Sequence, residues 1–281
     1  MLKTRVLTAL VLAPLVLAAL FLLPPLGFGV AVLVVMFVAA REWSQLAAFR
    51  VATQRLFIGG ILAAGIGMLA LPPFGFDRGW PAAVVLAGCG LSGLFWLLVA
   101  PAWVTHRWPT SNRSVMVVVG WIVLLGGWMA LVELQARSPW LVLAAMAIVW
   151  IADTAAYFSG RAFGRRKLAP EISPGKTWEG VYGALAAVAL YAFLLLTLAT
   201  PAELASALDA PVVAASIACA LMITGISVIG DLFESLMKRH AGVKDSGNLL
   251  PGHGGVLDRI DALLAAMPLA ALAAHVFMAK A

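Results

Sequence analysis

Apolar runs of 15 to 25 residues recur along the whole chain, separated by short segments that carry nearly all of its charge. A helix rises 1.5 Å per residue, so about 20 apolar residues span the roughly 30 Å of a bilayer's hydrocarbon core. One such run can be a buried core helix, but a full series has no soluble solution. The chain is 63% hydrophobic and 11% charged, with a mean hydropathy of +1.01. Soluble domains hold about 45–50% apolar and about 25% charged residues, so a soluble enzyme and a disordered chain are both excluded. The expected fold class is all-α, a polytopic membrane bundle.

Nine spans are expected, roughly 6–23, 26–40, 56–71, 81–104, 114–132, 139–158, 180–199, 211–230 and 262–279. The third is short, and Gly27 and Gly29 are expected to break the second. Residues 1–23 also have the basic start of a signal peptide in Lys3 and Arg5. The apolar run is too long for that, and Pro24-Pro25 stands where small cleavage-site residues belong, so an uncleaved first helix is expected.

Nine spans separate the basic residues by side. Lys3, Arg5, Arg41, Arg50, Arg55, Arg107, Arg113, Arg161, Arg165, Arg166, Lys167, Lys176, Lys238, Arg239, Lys244 and Arg259 share one side. Arg78, Arg137 and Lys280 share the other. The positive-inside bias then places the N-terminus in the cytoplasm and accounts for the net charge of +6 without nucleic acid. Cys89 and Cys219 both lie in apolar runs and are expected to pack, not to pair. The chain divides into N-terminal scaffold helices over 1–135, with potential oligomer contacts, and C-terminal helices over 136–281 that carry the polar motifs.

The densest polar segment is 227–261, SVIGDLFESLMKRHAGVKDSGNLLPGHGGVLDRID. Asp258 and Asp261 stand at i and i+3 and share a helix face, as do Asp231 and Ser235 at i and i+4. Acids at a helix start also complement its dipole, the plainer reading of the first pair. Hard oxygen ligands without cysteine or paired histidine favour magnesium. Lys238, Arg239 and Lys244 alternate with acids and glycines, a pattern suited to phosphate as well as to membrane anchoring. Gly252, Gly254 and Gly255 allow backbone N–H groups close to an anion, with His253 among them. Together these point to phosphoryl or nucleotidyl transfer.

Two further signals lie upstream. Asp153 sits inside the sixth span, where an ionisable residue is costly and functional by default. ISPGKTWEG at 172–180 invites a phosphate-loop reading, but Pro170 occupies the position of the required first glycine. Lys176 and Thr177 remain candidates for phosphate or metal, while Ser173 or Thr177 equally serves as the N-cap of the next helix. His106 and His275 are expected to be packing or interface residues, and His240 has no evident partner.

The stretch SLMKRHAGVKDSGNLLPGHGGVLDRID, Ser235 to Asp261, resembles the C-terminal motif of phosphatidate cytidylyltransferases, also called CDP-diglyceride synthases. ISVIGDLFES, ISPGKTWEG, Asp153 and Gly160 are similar to the same family. The resemblance implies CTP and phosphatidic acid as substrates, CDP-diacylglycerol and pyrophosphate as products, Mg²⁺ as cofactor with room for a second cation such as K⁺, and a homodimer in the inner membrane. The resemblance also implies a site that faces the cytoplasm. Asp231, Asp258, Lys238, Arg239, Lys244 and His253 are assigned to catalysis. Lys176, Thr177, Ser173, Ser235, Asp245, Gly254, Gly255 and Arg259 are assigned to substrate, and Asp231, Asp258, Asp261 and Asp153 to metal. Two alternatives stay open: another CTP-using membrane transferase, such as a polyprenol kinase or an archaeol-type cytidylyltransferase, and a secondary transporter.

Overall fold

A computed structural model describes residues 2–70, 80–199 and 209–278. Those residues form nine helical rods and one two-stranded hairpin. In chain order they are α1 (Leu2–Leu22), α2 (Pro25–Leu46), α3 (Val51–Ala70), α4 (Ala82–His106), α5 (Arg113–Arg137), α6 (Pro139–Phe163), β1 (Lys167–Ala169), β2 (Ser173–Thr177), α7 (Trp178–Ala199), α8 (Ala210–His240) and α9 (Leu257–Met278). Among the described residues, the eight helices α2 to α9 are long and apolar enough to cross a membrane. The 21 residues of α1 reach about 30 Å, and its described apolar stretch is Leu10–Leu22. The chain is an all-α polytopic membrane protein.

Helix starts follow local chemistry. Pro25 opens α2 and Pro139 opens α6, each where a missing N–H costs nothing. Asn112, Ser138 and Asp209 cap α5, α6 and α8 by accepting the N–H of Val115, Trp140 and Val212. Within α4 a π-helical turn at Phe95–Val99 precedes Pro101, which cannot donate to a regular ladder.

Six helices outrun their hydropathy, α3, α5 and α6 among them. α2 continues to Leu46, α8 runs ten residues past 230, and α9 begins at Leu257 instead of 262. Hydropathy marks what lipid covers, whereas the hydrogen-bond ladder continues until the backbone turns left-handed, as at Ala48 after α2 and Gly242 after α8. The expected break in the second span is also corrected: α2 is continuous through Gly27 and Gly29. Gly29 instead admits α5, whose Trp128 Nε1 donates to the Gly29 carbonyl at 2.9 Å.

α5 and α9 are the most enclosed helices. Trp128, Val132 and Leu134 meet Ala265, Ala266 and Met267 in one buried core. Cys89 is buried in that core and Cys219 packs against it, both as free thiols. α9 also packs on α4, α6 and α8, and α6 and α7 form a close pair.

The basic loops meet at one end of the bundle. Arg107 pairs with Glu171, and Arg113 Nε donates to the Ala48 carbonyl at 2.9 Å. Arg239 Nε donates to the Ile172 carbonyl at 3.1 Å, and Thr8 Oγ1 to that of Pro251 at 3.1 Å. His240 does have a partner, Thr110 Oγ1 at 3.2 Å from its Nδ1. At the other end Arg137 bridges Glu133 at 2.7 Å and His275 at 2.8 Å. Arg78 and Lys280 lie outside the described residues.

Candidate active site

The hairpin brings Lys176 to the site. Its strands pair Lys167 with Thr177 and Ala169 with Ser173, so 173–177 is extended backbone leading into α7, not a phosphate loop. Thr177 Oγ1 accepts the Gly180 N–H at 3.2 Å, an N-cap arrangement. Glu179 reaches back to the N–H groups of Arg165 and Arg166 at 3.0 and 3.2 Å. A Cβ on Gly180 would stand 2.9 Å from the Ala156 carbonyl, so glycine lets α7 approach α6 this closely. Lys176 Nζ then lies 2.7 Å from Asp231 Oδ2 on α8.

The overrun of α8 beyond its apolar stretch supplies the next groups. Phe233 is fixed among Trp43, Phe95, Trp96 and Trp103, with ring centroids at 6.2, 5.7, 5.7 and 5.6 Å. That cage orients the rest of the turn. Ser235 Oγ donates to Asp231 Oδ1 at 3.2 Å. Lys238 Nζ lies between Glu234 Oε2 and Asp258 Oδ1, 2.7 Å from each. Asp258 Oδ2 accepts the N–H groups of Ser246 at 2.9 Å and Gly255 at 2.8 Å.

The glycine turn shapes this end of the site from behind. Gly252 and Gly254 take φ of +76° and +81°, conformations that side chains disfavour. The His253 carbonyl accepts Arg259 Nε at 2.9 Å, while its buried Nδ1 has no hydrogen-bond partner.

Two clefts result. The polar one, about 520 Å³, is lined by Asp153, Asp231, Ser235, Lys238, Arg239, Lys244, Asp245, Asp258, Arg259 and Asp261. The second, about 410 Å³, mixes Ser173, Lys176 and Thr177 with Tyr157, Leu168, Val181 and Val228. Asp153 and Asp231 line both, so the clefts adjoin. All the expected site residues line one cleft or the other except His253, Gly254 and Gly255, which belong to the supporting turn. Transport through the bundle needs polar groups at mid-depth in both halves, whereas these gather at one end.

Both oxygens of Asp231 are engaged, Oδ1 by Ser235 and Oδ2 by Lys176. Both oxygens of Asp258 are engaged by the protein. Asp231 lies near Asp153 and Asp261, and Asp261 faces the buried carboxylate of Glu234. Among the described residues no three His, Cys, Asp or Glu converge as a ready metal cage. Asp153, Asp231 and Asp261 nevertheless line the polar cleft with hard oxygens, a donor set that suits a cation that takes only one or two carboxylates and completes its shell with water and phosphate, as Mg²⁺ does.

The profile of the Cytidylyltransferase family matches residues 3–277. The chain belongs to that family. Similar proteins named phosphatidate cytidylyltransferase occur in Pseudomonas aeruginosa, 41% identical over 275 residues and 95% of each chain. In Haemophilus influenzae the identity is 37% over 282 residues, covering 95% of this chain and 96% of the relative. In Brucella suis it is 36% over 284 residues, covering 98% and 94%. Family membership and cleft agree: adjoining charged and amphipathic chambers suit a nucleotide beside a lipid.

Two acids escape the sequence reading. Glu234 had a signal, since it stands four residues before Lys238 on one helix face. Glu42 had almost none: it lies in α2, yet its carboxylate accepts hydrogen bonds from Ser246, Val256 and Leu257.

Proposed function

We propose that the chain catalyses CTP + phosphatidic acid → CDP-diacylglycerol + pyrophosphate, a step of phospholipid biosynthesis, at the cytoplasmic face of the inner membrane. The observation that carries this reading is the pair of clefts sharing Asp153 and Asp231 at one end of a membrane bundle. The polar chamber has the cations for a triphosphate, in Lys238, Arg239, Lys244 and Arg259. The mixed chamber offers Lys176 to a lipid phosphate and apolar side chains to the glycerol and acyl chains attached to it. The side on which sixteen basic residues gather supports the cytoplasmic assignment, as does the location of CTP.

In the reaction a phosphatidate oxygen attacks the α-phosphorus of CTP in line. The bond to the bridging oxygen of the β-phosphate breaks, and pyrophosphate carries away that electron pair. The nucleophile is already an anion near neutral pH, so no strong general base is needed. The main barrier is the approach of two anions, which fixed cations lower. Lys176, 2.7 Å from Asp231, stands where the chambers adjoin and takes the attacking phosphate. Lys238, held between Glu234 and Asp258, meets the triphosphate. Asp231, Asp258, Asp261 and Asp153 are the residues that would hold Mg²⁺, and Asp258 also serves the site through Lys238 and the turn. Magnesium, when bound, neutralises triphosphate charge. A second cation such as K⁺ and a homodimeric assembly are further parts of the proposal, supported by the family resemblance.

An acceptor panel tests the substrate assignment. Purified protein with labelled CTP is offered phosphatidate, a polyprenol and an archaeal-type dialkyl phosphate in parallel. Labelled lipid from phosphatidate at a rate well above the others supports the reading; preference for either alternative acceptor overturns it.

A further inference from the structure

Glu42 is a carboxylate only 5% exposed, on α2, 204 residues before the Ser246 that it binds. Its Oε2 accepts Ser246 Oγ at 2.8 Å and the Leu257 N–H at 2.7 Å, and its Oε1 accepts the Val256 N–H at 3.0 Å. The backbone closes around it. A Cβ on Gly247 would stand 2.6 Å from Oε1, and one on Gly255 would stand 2.5 Å from Oε2.

Two carboxylates therefore hold one turn from opposite sides. Ser246 gives its hydroxyl to Glu42 and its N–H to Asp258. The consecutive N–H groups of Gly255, Val256 and Leu257 go to Asp258, Glu42 and Glu42 in that order. The first N–H groups of a helix lack partners inside it, and negative charge there is favourable. Helices usually meet this need with a residue in the preceding turn. Here the acid comes from another helix, so the turn before α9 is tied to the body of the bundle.

We propose that Glu42 is a positioning residue for the cytidylyl transfer: it fixes the turn from Asp245 to Leu257 so that Asp258 holds Lys238 in the polar cleft. This rests on the reaction proposed above. Glu42 lines neither cleft, so it acts through Ser246, Gly255 and Asp258.

The test compares Glu42→Gln, Glu42→Asp and Ser246→Ala in the full-length protein in detergent. The readouts are kcat and KM for CTP per folded molecule, the tryptophan-fluorescence melt, and trypsin cleavage after Lys244. Glutamine replaces one acceptor oxygen by an NH₂ that must face a backbone N–H or a hydroxyl. Glu42→Gln is expected to lower kcat about 30- to 100-fold while still melting cooperatively, and to speed cleavage after Lys244. Aspartate keeps two acceptors and restores kcat to within about tenfold of wild type. Ser246→Ala, which removes one arm, lowers kcat about three- to tenfold. Glu133→Gln is the control: Glu133 is as deeply buried and accepts Trp80 N and Arg137 Nε at the far end. It is expected to melt earlier with kcat within about twofold of wild type.

Values of kcat within about threefold of wild type for both Glu42→Gln and Ser246→Ala overturn the proposal. So does a Glu42→Asp variant no better than Glu42→Gln. If Glu42→Gln does not fold, Ser246→Ala decides by the same threshold. A wild type that makes no CDP-lipid refutes the reaction instead, and unchanged cleavage after Lys244 in Glu42→Gln then refutes the tether separately.

Discussion

Replacing Lys176 by methionine separates catalysis from folding. The Lys176 and Asp231 side chains are 24% and 34% exposed, and their atoms lie 2.7 Å apart. An ion pair this open to solvent contributes about 0.2–1 kcal/mol, so its loss barely destabilises the bundle. A fixed cation facing charge that develops in the transition state is worth about 2.7–4 kcal/mol, or about 100- to 1000-fold in kcat. The two effects differ by several-fold in energy and by assay. Initial rates of CDP-lipid formation, with CTP and phosphatidate varied in turn, are measured beside a fluorescence melt of the same preparation. Lys176→Met is expected to lose about 100- to 1000-fold in kcat with a melt shifted by only a few degrees. The companion is the double variant Lys176→Met with Asp231→Asn. Recovery in the double variant would mean that Lys176 merely neutralises Asp231 and that Asp231 has no role of its own; no recovery is expected, since each residue is assigned its own part. A single variant within about threefold of wild type, or a recovered double variant, refutes the reasoning.

Asp258→Asn removes the carboxylate that orients Lys238 and accepts two backbone N–H groups; kcat is expected to fall by about 100-fold or more in a protein with unchanged helical circular dichroism. Gly255→Ala places a methyl against Ser246 and Glu42 and is expected to lower both melting temperature and activity, whereas Gly59→Ala meets nothing within 4 Å and leaves both unchanged in the same measurements. Chelation of divalent metal is expected to stop turnover without unfolding, and added Mg²⁺ to restore it, followed by the rate assay and the melt. In sealed vesicles of known orientation, membrane-impermeant CTP is expected to be used only where the face bearing the basic loops is outward.

The bundle was legible because lipid imposes a coarse rule. Each span must be long and apolar, and the charges between spans must alternate sides, so counting spans and placing loops constrain one another. The polar motifs were legible in composition, but their geometry depended on features that hydropathy hides. α8 continues for ten residues beyond its apolar stretch, and this overrun carries Asp231, Glu234, Ser235 and Lys238 as one helical surface. Thr177 was readable as a cap because its chemistry is local, while the placement of Lys176 against Asp231 was not, being set by how a hairpin folds back over α8. Asp258 shows the same limit. Sequence grouped it with Asp261 on one helix face, whereas its contacts to Lys238, Ser246 and Gly255 are set by how the last loop folds. Glu42 is the extreme case, since nothing near it in sequence indicates that its partners lie in the last loop.

The central claim is that the cytidylyl group, and not a phosphoryl group, passes to a lipid phosphate. Purified protein with phosphatidate and Mg²⁺ is given CTP labelled at the α-phosphate in one reaction and at the γ-phosphate in another. The α label is expected in chloroform-soluble CDP-lipid and the γ label in pyrophosphate, with neither product formed when phosphatidate is omitted. Transfer of the γ label to lipid, or no labelled lipid from folded protein, contradicts the account.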